Sequence, residues 1–214
     1  MGPLRTGFFY GILAVLATVA INLRFLYLDP AATPAWLLSV CETFLPLLGA
    51  AVQIFLGILA AIRVRPNRLD PDVPYRSILL RDCAMAATIV AVMVGTTLLL
   101  TTALQATVFA DGMRGYASEV SPKIASYVND YGKALHNPPP ETSAAEIEKN
   151  LQPPTLQYLG RSISNFVLRA LLIGVLGAVV GLIRGWSWQR RDGSDAEPST
   201  ASPDVSRTGG TRDS

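Results

Sequence analysis

The sequence predicts an all-α fold, a four-helix transmembrane bundle with an extracytoplasmic helical insertion between helices three and four. Three observations predict it. Only 16% of the 214 residues are charged, against about a quarter in an ordinary soluble domain. Those charges gather in three places, 63–81, 111–161 and the last thirty residues, and leave long apolar runs between them. The runs themselves are long enough to matter, because about 20 apolar residues cross the hydrocarbon of a bilayer.

The first span is read at 8–28, opened by Arg5 and closed by Asp29-Pro30. It is longer than the apolar core of a signal peptide and is followed by further spans, so it is expected to be retained. The second, 36–62, contains Glu42, Pro46 and Gln53, and Pro46 removes a backbone donor in its first half. A basic, proline-rich loop then precedes a long third helix that begins just after Pro74 and spans 83–109. The fourth span, 163–183, is followed by RGWSWQRR, an aromatic and basic flank of the kind found where helices leave the bilayer.

Residues 111–160 form the polar insertion. Ser121-Pro122 reads as an N-cap followed by proline at the first helical position. Ile124, Tyr127, Val128, Tyr131 and Leu135 recur at helical spacing and give an apolar side carrying two tyrosines. This outer helix can lie on the membrane surface or bind a partner, and its tyrosines favour the surface. After HNPPPE, Ser143-Ala-Ala-Glu146 is a capping box that opens a short helix ending before Pro153-Pro154. Residues 192–214 are Ser, Asp, Gly, Thr and Pro in the main, a composition that predicts a disordered cytoplasmic tail.

Orientation follows from the arginines. Arg63, Arg65, Arg68, Arg76 and Arg81 surround the second connection, Arg5 precedes the first span, and Arg184, Arg190 and Arg191 follow the last. The connection 29–35 has no Lys or Arg, and the insertion sets Arg114, Lys123, Lys133 and Lys149 against six acids. The positive-inside rule then puts both termini in the cytoplasm and the protein in the inner (plasma) membrane.

The anomaly worth following is a layer of polar residues within the spans. At 1.5 Å per residue, Arg24 and Gln105 fall ~6 Å, and Glu42 and Arg169 ~9 Å, below the outer ends of their helices. Glu42, Gly49, Gln53, Gly57 and Ala60 share one stripe of the second helix, and Thr97, Thr101 and Gln105 share one of the third. Asn165 sits a turn from Arg169, and Ala17 and Ala20 lie under Arg24. Small and polar faces turn toward other helices. Glu42 therefore needs Arg24, Arg169 or both, and Arg24 is the expected partner because its helix joins the second by a short loop. Such a layer is either an outward-opening pocket for an ion, proton or anionic ligand, or a pair of arginines snorkelling to the headgroups with Glu42 neutralising one. Their place near helix ends favours snorkelling.

Other functions are excluded or unsupported by the same residues. A net charge of +2 gives no footprint for nucleic acid. Cys41 and Cys83 are expected near opposite faces of the bilayer, too far apart for a disulfide. With His136 the only histidine, no metal site can be assembled from these groups, and no cofactor is expected. There is no nucleotide loop, HExxH or nucleophile–base pair. Gly7-x-x-x-Gly11 and Gly177-x-x-x-Gly181 permit close helix approach.

The segments YRSILLRDCAMAATIVAVMVGTTLLL, SAAEIEKNLQPP and FVLRALLIGVLGAVVGLI, in this order across residues 1–185, resemble a bacterial family of four-helix membrane proteins, a domain of unknown function. The resemblance implies the bundle and its insertion, and no catalytic residue. The expectation is a non-enzymatic membrane protein that self-associates or serves as an accessory subunit of a larger complex. A small oligomeric transporter or channel using the polar layer is the alternative, and a lipid-headgroup enzyme with Glu42 as base comes last.

Overall fold

The computed structural model describes residues 2–65, 73–135 and 140–194; for 156–159, 161–162, 165 and 188–194 only the backbone is described. The described chain is helical: α1 Pro3–Asn22, α2 Ala35–Arg63, α3 Tyr75–Ala106, α4 Ala110–Lys133, α5 Ala144–Leu151 and α6 Leu156–Ser194, with a 3-10 turn at Arg24–Leu26. Four stretches are long and apolar enough to cross a membrane: α1, α2, α3 and residues Phe166–Ser187 of α6. Arg68, His136 and the tail from residue 195 lie outside the described residues, as do the side chains of Asn165, Trp188, Arg190 and Arg191.

α3 is the central helix, and α1, α2 and α6 all pack on it. Glycine makes two of those contacts possible. A Cβ on Gly7 would lie 2.9 Å from the Ala86 carbonyl oxygen, and one on Gly11 would meet the Met93 sulfur. On the other side of α3, a Cβ on Gly177 would lie 2.5 Å from that of Ala87, and one on Gly181 would lie 2.7 Å from Leu80 Cα. Both small-residue motifs are thus used inside the monomer. The core they close is mostly small in its side chains: Ala14, Ala60, Ala61, Val64, Cys83, Ala86, Val90 and Val94, with Leu79 its one large buried member. Large apolar groups such as Phe8, Phe44, Leu47, Phe55, Leu168 and Leu171 point outward. That inverted distribution suits a hydrocarbon surround, where apolar side chains need no burial and backbones gain by close approach.

Side chains satisfy the carbonyls that open at helix ends. At the end of α1, Tyr27 Oη donates to Ala20 O (2.7 Å), Arg24 to Ile21 O (3.1 Å) and Gln105 to Asn22 O (2.6 Å). At the end of α2, Arg184 of α6 donates to Ala61 O (2.9 Å) and Val64 O (3.1 Å). These bonds explain why α1 stops at Asn22 rather than Leu28. Arg24 belongs to the turn that follows, and Asp29 organises the next reversal by accepting from Ala31 N (2.8 Å). The inward stripe of α1 is accordingly Gly7, Gly11, Ala14 and Thr18, whereas Ala17 is half-buried and Ala20 exposed.

The insertion differs most from expectation. Ser121-Pro122 does not start a helix; α4 begins at Ala110 and runs through both. Pro122 leaves one carbonyl without its usual donor, yet Tyr116, Val120 and Ile124 continue a single face at four-residue spacing. That face buries against Leu38 of α2 and against Phe25 and Leu28 after α1. Burial of three large side chains, at about 1.5–3 kcal/mol each, outweighs the roughly 3 kcal/mol that a proline costs in a helix interior. Tyr127 and Tyr131 lie beside this face, stacked at 6.3 Å, and Tyr131 is exposed. Of the capping box the N-cap half forms, with Ser143 Oγ accepting from Glu146 N (3.2 Å) at the head of α5.

Candidate functional site

Three elements meet where α1 ends. The 3-10 turn presents Arg24, the second turn of α2 presents Glu42, and α4 lays Tyr116 across them. Arg24 Nε donates to Glu42 Oε1 at 2.9 Å, and Arg24 Nη2 donates to Glu42 Oε2. This two-pronged geometry is the strong form of an arginine–carboxylate pair. Tyr116 Oη donates to Glu42 Oε1 at 2.8 Å. The pair is largely removed from solvent, with 17% of the Arg24 side chain and 7% of the Glu42 side chain exposed. Burial pushes the Tyr116 phenol well above its ordinary range, and the charge of Glu42 and the bond to it push the same way. Tyr116 therefore stays a donor.

Of the four residues of the expected layer, Arg24 and Glu42 bond directly to each other. Gln105 lies beside them, on the carbonyl of Asn22, two residues before Arg24. Arg169 is elsewhere. It lines a groove with Ala50, Gln53 and Ile54 of α2. Gln53 is eleven residues along α2 from Glu42, or ~16 Å at 1.5 Å per residue. The expected depth was counted from Ile163, but α6 starts at Leu156, directly after Pro153-Pro154, and those seven residues shift the register by ~10 Å. Equal depth thus fails for Arg169, and Glu42 has one arginine as partner.

The inward stripe of α2 is as expected: Gly49, Gln53, Gly57 and Ala60 are buried. Gln53 Nε2 donates to Thr18 Oγ1 (3.1 Å), which donates to Ala14 O (2.7 Å). Thr97 and Thr101 return their hydroxyls to carbonyls of their own helix. Tyr116 lies outside the helix that Ser121-Pro122 predicts, since α4 begins eleven residues earlier at Ala110. The signal that finds it is the spacing Tyr116, Val120, Ile124, which crosses that proline. Lys123, whose ammonium donates to Pro30 O (2.5 Å), fastens α4 to the same turn.

Chemically, the cluster is closed on itself. Glu42 receives three hydrogen bonds, and its donors are an arginine and a tyrosine that keeps its proton. Among the described residues no three His, Cys, Asp or Glu side chains are grouped so as to hold a metal ion. The fold and this cluster define a helical bundle with four potential membrane spans whose polar centre joins helices to one another. Comparison with family models, with curated proteins and with solved structures gives no match.

Proposed function

We propose that the chain is a non-enzymatic, multi-pass protein of the inner (plasma) membrane, with both termini cytoplasmic, that serves as an accessory subunit of a membrane complex through its outer helical cap, α4–α5. The observation that carries this reading is the closed Arg24–Glu42–Tyr116 cluster. It spends its polar groups on joining α4 to the bundle and leaves no base or nucleophile free for chemistry. Accessory association is preferred over self-association because Gly7, Gly11, Gly177 and Gly181, the faces suited to a second copy, are already filled by α3. The cap, by contrast, presents Tyr131 and Leu135 outward. Likeness to a four-helix bacterial family of unknown function, read from the order of the segments, agrees with this placement and adds no activity.

The test is the mass of the protein–detergent particle after gentle extraction from native membranes. A stoichiometric second polypeptide is expected, lost when Glu42→Ala loosens α4. A homogeneous homo-oligomer instead would favour the transport reading, whose support is the hydrogen-bonded string Gln105, Asn22, Thr18 and Gln53 along α1.

A further inference from the structure

Arg169 lies midway along the bundle. A Cβ on Gly57 would lie 2.8 Å from Ile173. Since α2 and α6 run the same way, Gln53 stands level with Arg169, four residues earlier on each helix, and both line the groove between the two. On α3, which runs the other way, Cβ atoms on Gly174 and Gly181 would lie 3.0 Å from Thr88 and 2.7 Å from Leu80. The same register sets Arg169 opposite Val92, near the centre of Tyr75–Ala106. Along α2, Gln53 is eleven residues from Glu42 and ten from Arg63, or ~16 and ~15 Å. Neither headgroup region is within an arginine's reach from there. The surroundings are apolar: Arg169 is exposed, and Leu168 and Leu172, on either side, are 65% and 51% exposed. Among the described residues Arg169 makes no hydrogen bond or ion pair. A cation so placed in hydrocarbon is costly unless an anion meets it at its own depth.

We propose that the α2–α6 groove docks one transmembrane helix of another polypeptide, whose Asp or Glu near mid-span pairs with Arg169. Beside that pair the groove, about 190 Å³ and walled by Ile54, Leu172 and Ile173, takes an apolar side chain of the same helix. The chain's own carboxylates do not serve. Glu42 and Asp82 are the only acids in the four spans, and they are held by Arg24 and Arg81. A second copy therefore brings no free acid. An axis along the membrane normal would also keep every residue at its depth and set Arg169 against Arg169. Lipid phosphate lies a full half-span away in either direction. A carboxylate carried to this depth by a helix of different sequence is the complement that is left.

The inference rests on the membrane and accessory readings above and adds a contact face distant from the cap. Its first test uses energy transfer in phosphatidylcholine vesicles between the labelled full chain and labelled synthetic helices of about 20 leucines and alanines. The helices carry Glu at the centre, Leu at the centre, or Glu next to one end. The centre-Glu helix should bind about tenfold tighter than the other two, the value of one polar contact between membrane helices. Arg169→Gln should remove that preference, and Arg169→Lys should keep part of it. Ala50→Phe, which fills the groove, should weaken all three helices, and Gly160→Ala should change nothing. Equal binding of the three by the wild type, or an undiminished preference in Arg169→Gln, overturns the site. The second test places a photo-cross-linking side chain at Leu172 in native membranes. The adduct should be a membrane helix with Asp or Glu at mid-span; an adduct with lipid alone, with a second copy or with a helix lacking that acid overturns the proposal. A companion polypeptide lost by Glu42→Ala yet kept by Arg169→Gln supports the cap alone and overturns this site. Failure of the wild type to float with vesicles after carbonate washing refutes the membrane reading itself.

Discussion

Replacing Glu42 by alanine removes the acceptor of three hydrogen bonds at once and leaves the Arg24 guanidinium without its counter-charge. Breaking a buried ion pair from one side costs about 3–5 kcal/mol. With 17% and 7% of the two side chains exposed, little solvent is present to soften the loss, so Glu42→Ala should cost about 3 kcal/mol. Arg24→Ala should cost a similar amount, because it strands the carboxylate and also frees the Ile21 carbonyl. The double variant strands neither charge, so it should be about 2 kcal/mol less destabilised than the sum of the singles. Tyr116→Phe removes one neutral donor to a charged acceptor, at about 1.5–3 kcal/mol. Reversible unfolding in mild detergent measures all of these, and the cycle is completed with Glu42/Arg169 as the distant pair. Additivity for Glu42/Arg24 would refute the pairing; additivity for Glu42/Arg169 is the expected result.

Three further outcomes follow from the same contacts. Gly181→Leu should destabilise by about 1–3 kcal/mol, because the atoms it meets are backbone, Leu80 Cα at 2.7 Å and Leu79 O at 3.1 Å. Gly160→Ala, with nothing within 4 Å, should be neutral or slightly stabilising, and equal losses in the two variants would contradict the α3–α6 packing. Because Tyr116 keeps its proton more tightly folded than unfolded, its contribution is complete below about pH 10, the ordinary tyrosine value, and declines as pH rises beyond it. Alkaline unfolding curves should show this decline in the wild type and not in Tyr116→Phe, while superimposable curves would rule it out. A cysteine placed at Ser143 should react with an impermeant reagent from outside the cell, and reaction only from the cytoplasmic side would invert the topology.

The helices were legible because their signal is long and redundant. The second helix, read over 36–62, and the third, read from just after Pro74 to 109, agree within three residues with α2 and α3, and the inward stripe of α2 follows from Gly49, Gln53, Gly57 and Ala60 alone. The Arg24–Glu42 contact was also legible, since a short connection forces neighbouring helices together. Helix ends were harder, because what ends them is tertiary. α1 stops where Tyr27, Arg24 and Gln105 take its last carbonyls, and no local residue announces that. Proline misled twice. Pro122 resembles a helix start but sits within α4, where burial of Tyr116, Val120 and Ile124 carries the helix through. Pro153-Pro154 launches α6 a full two turns early, which moved Arg169 out of the layer into which residue counting had put it. Depth is a difference between registers, and one misplaced helix start displaces every residue after it.

The measurement closest to the central claim is hydrogen–deuterium exchange of the full chain in lipid nanodiscs, comparing wild type with Glu42→Ala. If the Arg24–Glu42–Tyr116 cluster is a clamp that seats α4 on the bundle, amides of α4 from Tyr116 to Val128 are protected in the wild type. In Glu42→Ala those amides should exchange at least tenfold faster, corresponding to about 1.4 kcal/mol of lost docking energy, while the α3 amides from Ala86 to Val94 stay protected. Unchanged protection of α4 in Glu42→Ala, or its loss together with α3, would contradict the claim that this cluster holds the outer helices to the bundle.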